Sequence, residues 1–580
     1  MVLRAFVALL CVLVLAPAAS AQPAPQNLRA FVLRANEPED PTRTFSRTPA
    51  FAWNPVNGAT SYEFQLSTSR TFSENAVVWE KDDIAAPLTS IPLTLPWMTG
   101  APFSFYARVR TNVKDDAGPW SERYGFRMRA PAPPATLTPN GGVNPRPGMV
   151  RWTPADGATG YEVAFQFSQA AGENKRIKTA TTAADLREYY TLHNWVPGVL
   201  PVSWRVRAVR EVEGRALNNL PSVSYGPWSP PYVTNEPPLV AAPIAPVAAI
   251  SRSRTGDIEN SSANGVGEPH ELVPGFSWTG TQNLAGAGDT CAPRVAVFDV
   301  TCPLFHVYVY TDEDCVNRVH VSDLVGSPAY VPRLTPPLDL PSDRDELDEV
   351  VTGAPPDVDV LMLPDGNEGK VFDAGSQQVY AAGTDPDLPP VQAPADSRRE
   401  PDRRSGIWDN DWPDSRYYWT VVPAVPRLTA DDTVEYHDIE FGEEMCRAGR
   451  LLTFGKTSAP AIERENGVPF LSGMVTTGQI RAATTNQPRF FGRVLVAWRP
   501  APGAARYEVQ WSKKQSPFRP LGSLRTPNTA YLLGLDPGVW YYRVRGLDES
   551  IPGLRQGMTW SDPQYVKVSP RIFSVVRNRR

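Results

Sequence analysis

Trp53-Asn54-Pro55-Val56-Asn57-Gly58-Ala59-Thr60-Ser61-Tyr62-Glu63 comes back as Trp152-Thr153-Pro154-Ala155-Asp156-Gly157-Ala158-Thr159-Gly160-Tyr161-Glu162 and as Trp498-Arg499-Pro500-Ala501-Pro502-Gly503-Ala504-Ala505-Arg506-Tyr507-Glu508. The step from Trp to Tyr is nine residues each time. A repeat at fixed internal spacing marks an array of like domains. Each copy has the same physical content. The Trp belongs to a strand that fills a core, Pro and Gly make the bend, and the next strand alternates. Tyr62, Phe64 and Leu66 face one way, with Glu63, Gln65 and Ser67 facing the other.

Two further phrases follow the first. One is Phe105-Tyr106-Ala107-Arg108-Val109-Arg110, matched by Val202-Ser203-Trp204-Arg205-Val206-Arg207 and Trp540-Tyr541-Tyr542-Arg543-Val544-Arg545. Period two again sets apolar residues inward and Arg outward, onto a solvated sheet surface. The other closes each unit: Gly118-Pro119-Trp120-Ser121, Gly226-Pro227-Trp228-Ser229 and Thr559-Trp560-Ser561. Its Trp is expected to cover the end of the core before the last strand. In this order the three phrases resemble the fibronectin type III domain, in the form common on bacterial surface and secreted proteins. The resemblance spans most of 22–236 and 488–570. It implies seven-strand sandwiches of about 100 residues, and no catalytic residues.

The middle of the chain carries a worn copy. Phe276-Ser277-Trp278 is similar to Phe51-Ala52-Trp53, Phe305 to Val309 is similar to Tyr62 to Leu66, and Tyr417 to Val421 is similar to the Arg-Val-Arg strand. Phe454-Gly455-Lys456-Thr457 stands where the closing phrase would be. Ten residues after Tyr62 stands Phe72, and ten after Phe305 stands Cys315, so a sulfur occupies an aromatic core position. This unit has an insertion at about 280–300 and a long one at about 334–414. Residues 338–414 hold 19 Asp plus Glu against 6 Lys plus Arg, a net of −13, while the whole chain is −5. Such acidity must stay solvated. Val358 to Met362, followed by Pro364-Asp365-Gly366-Asn367, reads as strand and turn, so a small hairpin is expected there.

The expected fold is all-β: a tandem array of about four immunoglobulin-like (fibronectin type III) sandwiches, the third with the acidic insertion. Its divisions are a signal peptide at 1–21, sandwiches at 22–130, 131–236, 237–460 and 461–570, and a basic tail at 571–580. Arg4, the apolar run to Leu15 and Ala19-Ser20-Ala21 read as an export signal cleaved before Gln22. No later stretch has the roughly 18 apolar residues of a membrane span. Pro131-Ala132-Pro133-Pro134 and Glu236 to Pro246 read as extended, semi-rigid joints. Four cysteines remain after the signal, Cys291, Cys302, Cys315 and Cys446. An even number in an exported chain implies disulfides, with three connectivities open.

Chemistry-bearing patterns are sparse. The five histidines form no metalloprotease pair, and no Gly-x-Ser-x-Gly elbow occurs. His306 falls on the polar side of its strand and is expected at the surface. Asp409, Asp411 and Asp414 form a weak calcium candidate without the calcium-loop Gly and Glu; no cofactor is otherwise expected. Trp408 and Trp412 break the core spacing and are candidate contact residues. Function is expected to be non-catalytic: a secreted or cell-surface protein mediating extracellular protein interaction or adhesion, its outer domains acting as spacers. The alternatives are a carbohydrate or cell-wall-binding protein and an accessory component of an extracellular hydrolase. Partners would be an extracellular protein or a cell-surface polysaccharide, with nucleic acid excluded by the acidic balance.

Overall fold

Alternating apolar residues with Gly and Pro at the turns leave this chain few options but strands. The computed structural model describes, with short interruptions, residues 22–279, 304–332, 370–381, 415–438, 451–456 and 464–569. Among the described residues, paired sheets enclose four separate cores. In the first, Arg29–Phe31, Ala50–Ala52 and Leu88–Ser90 form one sheet. Facing it lie Thr44–Phe45, Tyr124–Met128, Phe105–Val113, Ser61–Ser67 and Val77–Ile84, in that order. The last sandwich repeats this plan, down to the parallel pairing of Arg489–Phe491 with Gln564–Ser569 that mirrors Thr44–Phe45 with Tyr124–Met128.

Each repeated Trp directly follows or ends the strand that leads to it, and its N–H still bonds the neighbouring strand. Trp53 donates to Pro87 O at 3.0 Å and Trp498 to Thr529 O at 2.9 Å. Its ring meets the Tyr nine residues on edge to face: Trp53–Tyr62 at 5.3 Å, Trp152–Tyr161 at 5.6 Å and Trp498–Tyr507 at 5.5 Å. That geometry sets ring edge against ring face. The Tyr hydroxyl then accepts from the backbone N–H six residues back, at Val56, Ala155 and Ala501, at 2.9–3.0 Å. One side chain thus packs the core and closes the bend. Gly58 and Gly157 sit in that bend at φ +84° and +78°, where a Cβ is disfavoured.

The third sandwich keeps the plan. Asp257–Asn260, Ala245–Arg252, Gly275–Thr279 and Ala329–Tyr330 face Arg318–Val321, Leu304–Tyr310, Ser415–Leu428 and Val434–Asp438, with Leu452–Lys456 also on Ser415–Leu428. Trp278 meets Phe305 at 5.4 Å and 61°, the same edge-to-face contact. Phe has no hydroxyl, and the bend that a hydroxyl would close is replaced here by an insertion. Cys315 and Phe72 share more than spacing: both are buried, at φ 56° and 54°. Phe454 is not part of a closing phrase. It lies on the last core strand, stacked on Tyr417 at 5.3 Å as Phe126 stacks on Phe105 at 5.5 Å.

The closing Trp residues also differ from expectation. They lie on the outer sheet face, between two guanidinium groups. Arg108 and Arg110 stand 4.1 and 4.5 Å from the Trp120 ring, Arg205 and Arg207 each 4.5 Å from Trp228, and Arg543 and Arg545 4.2 and 4.5 Å from Trp560. The second Arg of each pair also binds the Glu after the repeated Tyr, as Arg545 does Glu508 at 2.7 Å. Aromatic stacking and ion pairing hold the planar cations. The Ser after the Trp accepts from Val109, Val206 or Val544 N–H at 3.0–3.1 Å and so ends the sheet edge.

The sandwiches are docked, which corrects the expectation of extended joints. Ala50 and Ala52 point away from their own core and pack with Phe31 and Leu88 against Leu495, Ala497 and Ala530 of the last sandwich. Asn528 donates to Leu93 O at 2.9 Å across that contact and also to Ile91 O. Second and third sandwiches meet through Met149, Ala329 and Val331. The contact is close: a Cβ on Gly275 would lie 2.8 Å from the Met149 methyl, the movable end of that side chain. Between first and second, Trp97 enters the second core. Arg210 is buried at the same junction and donates to Leu95 O and Gly157 O, both at 2.7 Å. Desolvation lowers its pKa to about 10, still charged at neutral pH. Glu236, inside the second Pro-rich joint, is 1% exposed and accepts from Gly148 N at 2.7 Å and Asn144 Nδ2 at 2.8 Å.

The indole N–H groups of Trp53, Trp152, Trp278 and Trp498 are buried without a hydrogen-bond partner. The ring is therefore used for volume and contact. Trp152→Ala is expected to cost about 3–5 kcal/mol, and Tyr161→Phe, which orphans the Ala155 N–H, about 1–3 kcal/mol. Urea unfolding of the full chain, followed through the second sandwich, measures both. A Tyr161→Phe cost near zero would remove the hydroxyl from the account.

Candidate functional site

The third sandwich is where the structure departs from its sisters, and the departures cluster. The long insertion leaves after Tyr330 and returns at Ser415, the start of a fourteen-residue strand. Its outgoing root is gripped by the second sandwich. Arg187 binds Asp185 through Nε and Nη2, both at 2.8 Å, and its guanidinium lies 5.2 Å from the Tyr330 ring. Asp185 Oδ2 also accepts from Val331 N at 2.9 Å. Both side chains are buried, and a buried pair stripped of one partner is strongly destabilised. His320 stacks on Tyr330 at 5.7 Å from the other side.

A second cluster joins the two sheets of this sandwich. His270 is buried, with Nδ1 2.6 Å from Ser251 Oγ and Nε2 2.8 Å from Asn260 Nδ2. Its backbone N–H donates to Gly455 O at 2.8 Å. Ser, His and Asn in a row invite comparison with a nucleophile and its base, but the proton is on the wrong side. Asn260 Nδ2 also donates to Glu268 O, which fixes the amide orientation. Nε2 then accepts, Nδ1 carries the proton, and Ser251 receives a hydrogen bond instead of giving one up. Desolvation lowers the imidazole pKa to about 3, far from the neutral range a general base needs. The cluster is a polar knot, and only its backbone placement could have shown it; the three residues are spread over 251–270 with no recognisable spacing.

The outer face of the third sandwich's larger sheet is the third departure. Where the sisters place Glu63, Gln65, Arg108 and Arg110, this unit has His306, Tyr308, Thr420 and Val422. All four are at most 7% exposed, whereas the sister residues are half-buried. The expectation of a surface His306 is thereby overturned: the polar side of its strand is not solvated in this unit. Cys315 belongs to this outer cluster with Tyr308, Tyr310 and Val422, and it is disulfide-bonded.

The remaining candidates fall elsewhere. Trp408, Trp412, Asp409, Asp411, Asp414, Cys291, Cys302 and Cys446 lie outside the described residues, as do the signal segment and 358–367. The hairpin described within the insertion is Lys370–Asp373 with Gln378–Ala381, downstream of the expected one, and its second strand packs beside Val434–Asp438. Among the described residues no group of three or more His, Cys, Asp or Glu could hold a metal ion. Asp312 spends its carboxylate on Val316 and Asn317 N–H groups, at 2.8 and 2.7 Å. No described helix is long and apolar enough to cross a membrane.

No protein-family model matches the chain, and no curated protein is similar to it. Among solved structures, a two-domain fibronectin type III segment of chicken tenascin is similar at 11% identity, covering 37% of this chain and 99% of that one, with a TM-score of 0.19. The FN1–FN3 domains of chicken CNTN1 are similar at 15% identity, covering 54% and 89%, with a TM-score of 0.16. Likeness at this level does not bear on function.

The His270 knot gives a pH dependence. Its folded pKa, about 3, lies below the ordinary 6.5. The unfolded chain therefore binds the extra proton first, and the stability due to neutral His270 is full above pH 6.5 and lost as pH falls toward 3. The third sandwich should lose up to about 1.4 kcal/mol per pH unit across that window from this group. Denaturant midpoints from pH 7 to 4 should fall less steeply in His270→Gln than in wild type. Parallel slopes would contradict the assignment.

Proposed function

We propose that this is a non-catalytic, exported interaction protein whose third sandwich meets the partner through its acidic insertion. The observation that carries this reading is the grip of the second sandwich on the insertion's root through Asp185 and Arg187. A long loop set on a rigid frame is a usual place for binding function. The docked sandwiches favour a frame over a string of spacers, because a buried Arg210 and a buried Glu236 at the joints resist bending. Extracellular placement follows from the export signal read in residues 1–21. The partner class that fits a segment of net charge −13 is one with a basic surface.

Deleting 338–414 from the full chain should abolish capture of a surface-fraction partner from the producing cell while leaving the thermal unfolding of the first, second and fourth sandwiches intact. Added salt should weaken the wild-type capture, as expected of a charged contact. Capture that survives the deletion would reject the reading.

A further inference from the structure

The outer faces of the first and last sandwiches carry the same clamp, built at two places far apart in the chain. Arg108 packs on two aromatic rings, 4.2 Å from Phe72 and 4.1 Å from Trp120. Arg543 packs on Phe518 and Trp560, 4.2 Å from each. In each case a glutamine on the paired strand accepts from two nitrogens. Gln65 Oε1 takes Nε and Nη2 of Arg108 at 3.0 and 2.6 Å, and Gln510 Oε1 takes those of Arg543 at 3.2 and 2.8 Å. A neutral acceptor fixes the planar cation without cancelling its charge. The second sandwich lacks this arrangement, because Ala164 stands opposite Arg205 where Gln65 stands opposite Arg108.

Among the described residues, Nη1 of both arginines has no hydrogen-bond partner and keeps contact with solvent. Burial, and then the neighbouring Arg110, hold Arg108 below its ordinary pKa; burial and Arg545 do the same to Arg543. Glu63 and Glu508 oppose this, but their carboxylates bond Arg110 and Arg545. A bound anion would act in the opposite direction to burial.

Placement narrows the ligand. Both clamps sit on interior strands, Ser61–Ser67 with Phe105–Val113 and Arg506–Ser512 with Gly538–Asp548, which are paired on both sides. A peptide that adds a strand needs a free sheet edge. These faces offer instead a fixed cation in the middle of a sheet, which suits a stiff chain of regularly spaced oxyanions laid across it. The two sandwiches dock through their smaller sheets, so their larger sheets lie on opposite outer sides of the pair. Layers about 10 Å apart put the two clamps roughly 30 Å from one another, facing away.

We propose that Arg108 and Arg543 are twin oxyanion sites for an acidic polysaccharide, with a carboxylate or sulfate at each Nη1, and that their opposed placement lets one protein bridge two polymer chains. The sites lie on other sandwiches than the acidic insertion, so each reading stands or falls without the other.

Calorimetry of the full chain with short oligogalacturonate and with a short sulfated oligosaccharide tests the sites, and the probe that binds tells carboxylate from sulfate. Two equivalent sites per chain are expected, weakened by added salt. Arg108→Gln and Arg543→Gln should each leave one site, and the double variant should lose about ten-fold in affinity or more. Long polygalacturonate or dextran sulfate should turn turbid with wild type and stay clear with either single variant. One site or none in the wild type, turbidity that persists in both single variants, or equally tight binding of polyglutamate would overturn the proposal. Should a variant fail to fold, the wild-type stoichiometry and the polyglutamate comparison still decide.

Discussion

Each sandwich has one strand that must bury both of its faces, and the architecture follows from that requirement. The strands are Ala50–Ala52, Met149–Arg151, Gly275–Thr279 and Val494–Ala497. Inward residues such as Phe51 and Val496 meet the Trp-centred core. Outward residues such as Ala50, Ala52, Leu495 and Ala497 are equally apolar and would face water in an isolated domain. Removing them from water favours docking of one sheet on another. First sandwich therefore packs on fourth, and second on third.

The third sandwich shows what happens when the shared plan is rebuilt around insertions. Losing the nine-residue bend removes the need for a Tyr hydroxyl, and Phe305 suffices for the core contact with Trp278. Thr420 and Val422 stand where the stacked arginines would be, and His306 and Tyr308 on the same face are buried. His270 replaces part of the lost stiffness by bonding Ser251 and Asn260 while its backbone holds Gly455. A buried neutral histidine is stable only while both ring nitrogens are satisfied. The unit that carries the insertion thus also carries a buried polar brace.

Much of this was legible in the residues, because period two and a fixed Trp-to-Tyr step report directly on packing. The worn copy at 276–309 was readable for the same reason, down to the equivalence of Phe72 and Cys315. Other features were out of reach. Alternation shows which side of a strand a residue takes but not what lies over that side, so His306 was placed in solvent and the arginines on an open surface. The outward Ala50 and Ala52 were visible as letters, yet a small residue gives little sign of a partner sheet. Val494-Leu495-Val496-Ala497 was the stronger hint, since an unbroken apolar run marks a strand buried on both faces. Proline density suggested extended joints, while the buried Glu236 carboxylate that fixes one of them depends on partners 88 and 92 residues away.

Small-angle X-ray scattering of the full chain, alongside Leu495→Asp, tests the two-faced strand most directly. A charge placed in the contact between first and last sandwiches cannot be buried unpaired. The wild type should give a compact particle, and the variant a longer maximum dimension with its individual sandwiches still folded. A wild-type profile already that of extended beads in a row, unchanged by the substitution, would contradict the account.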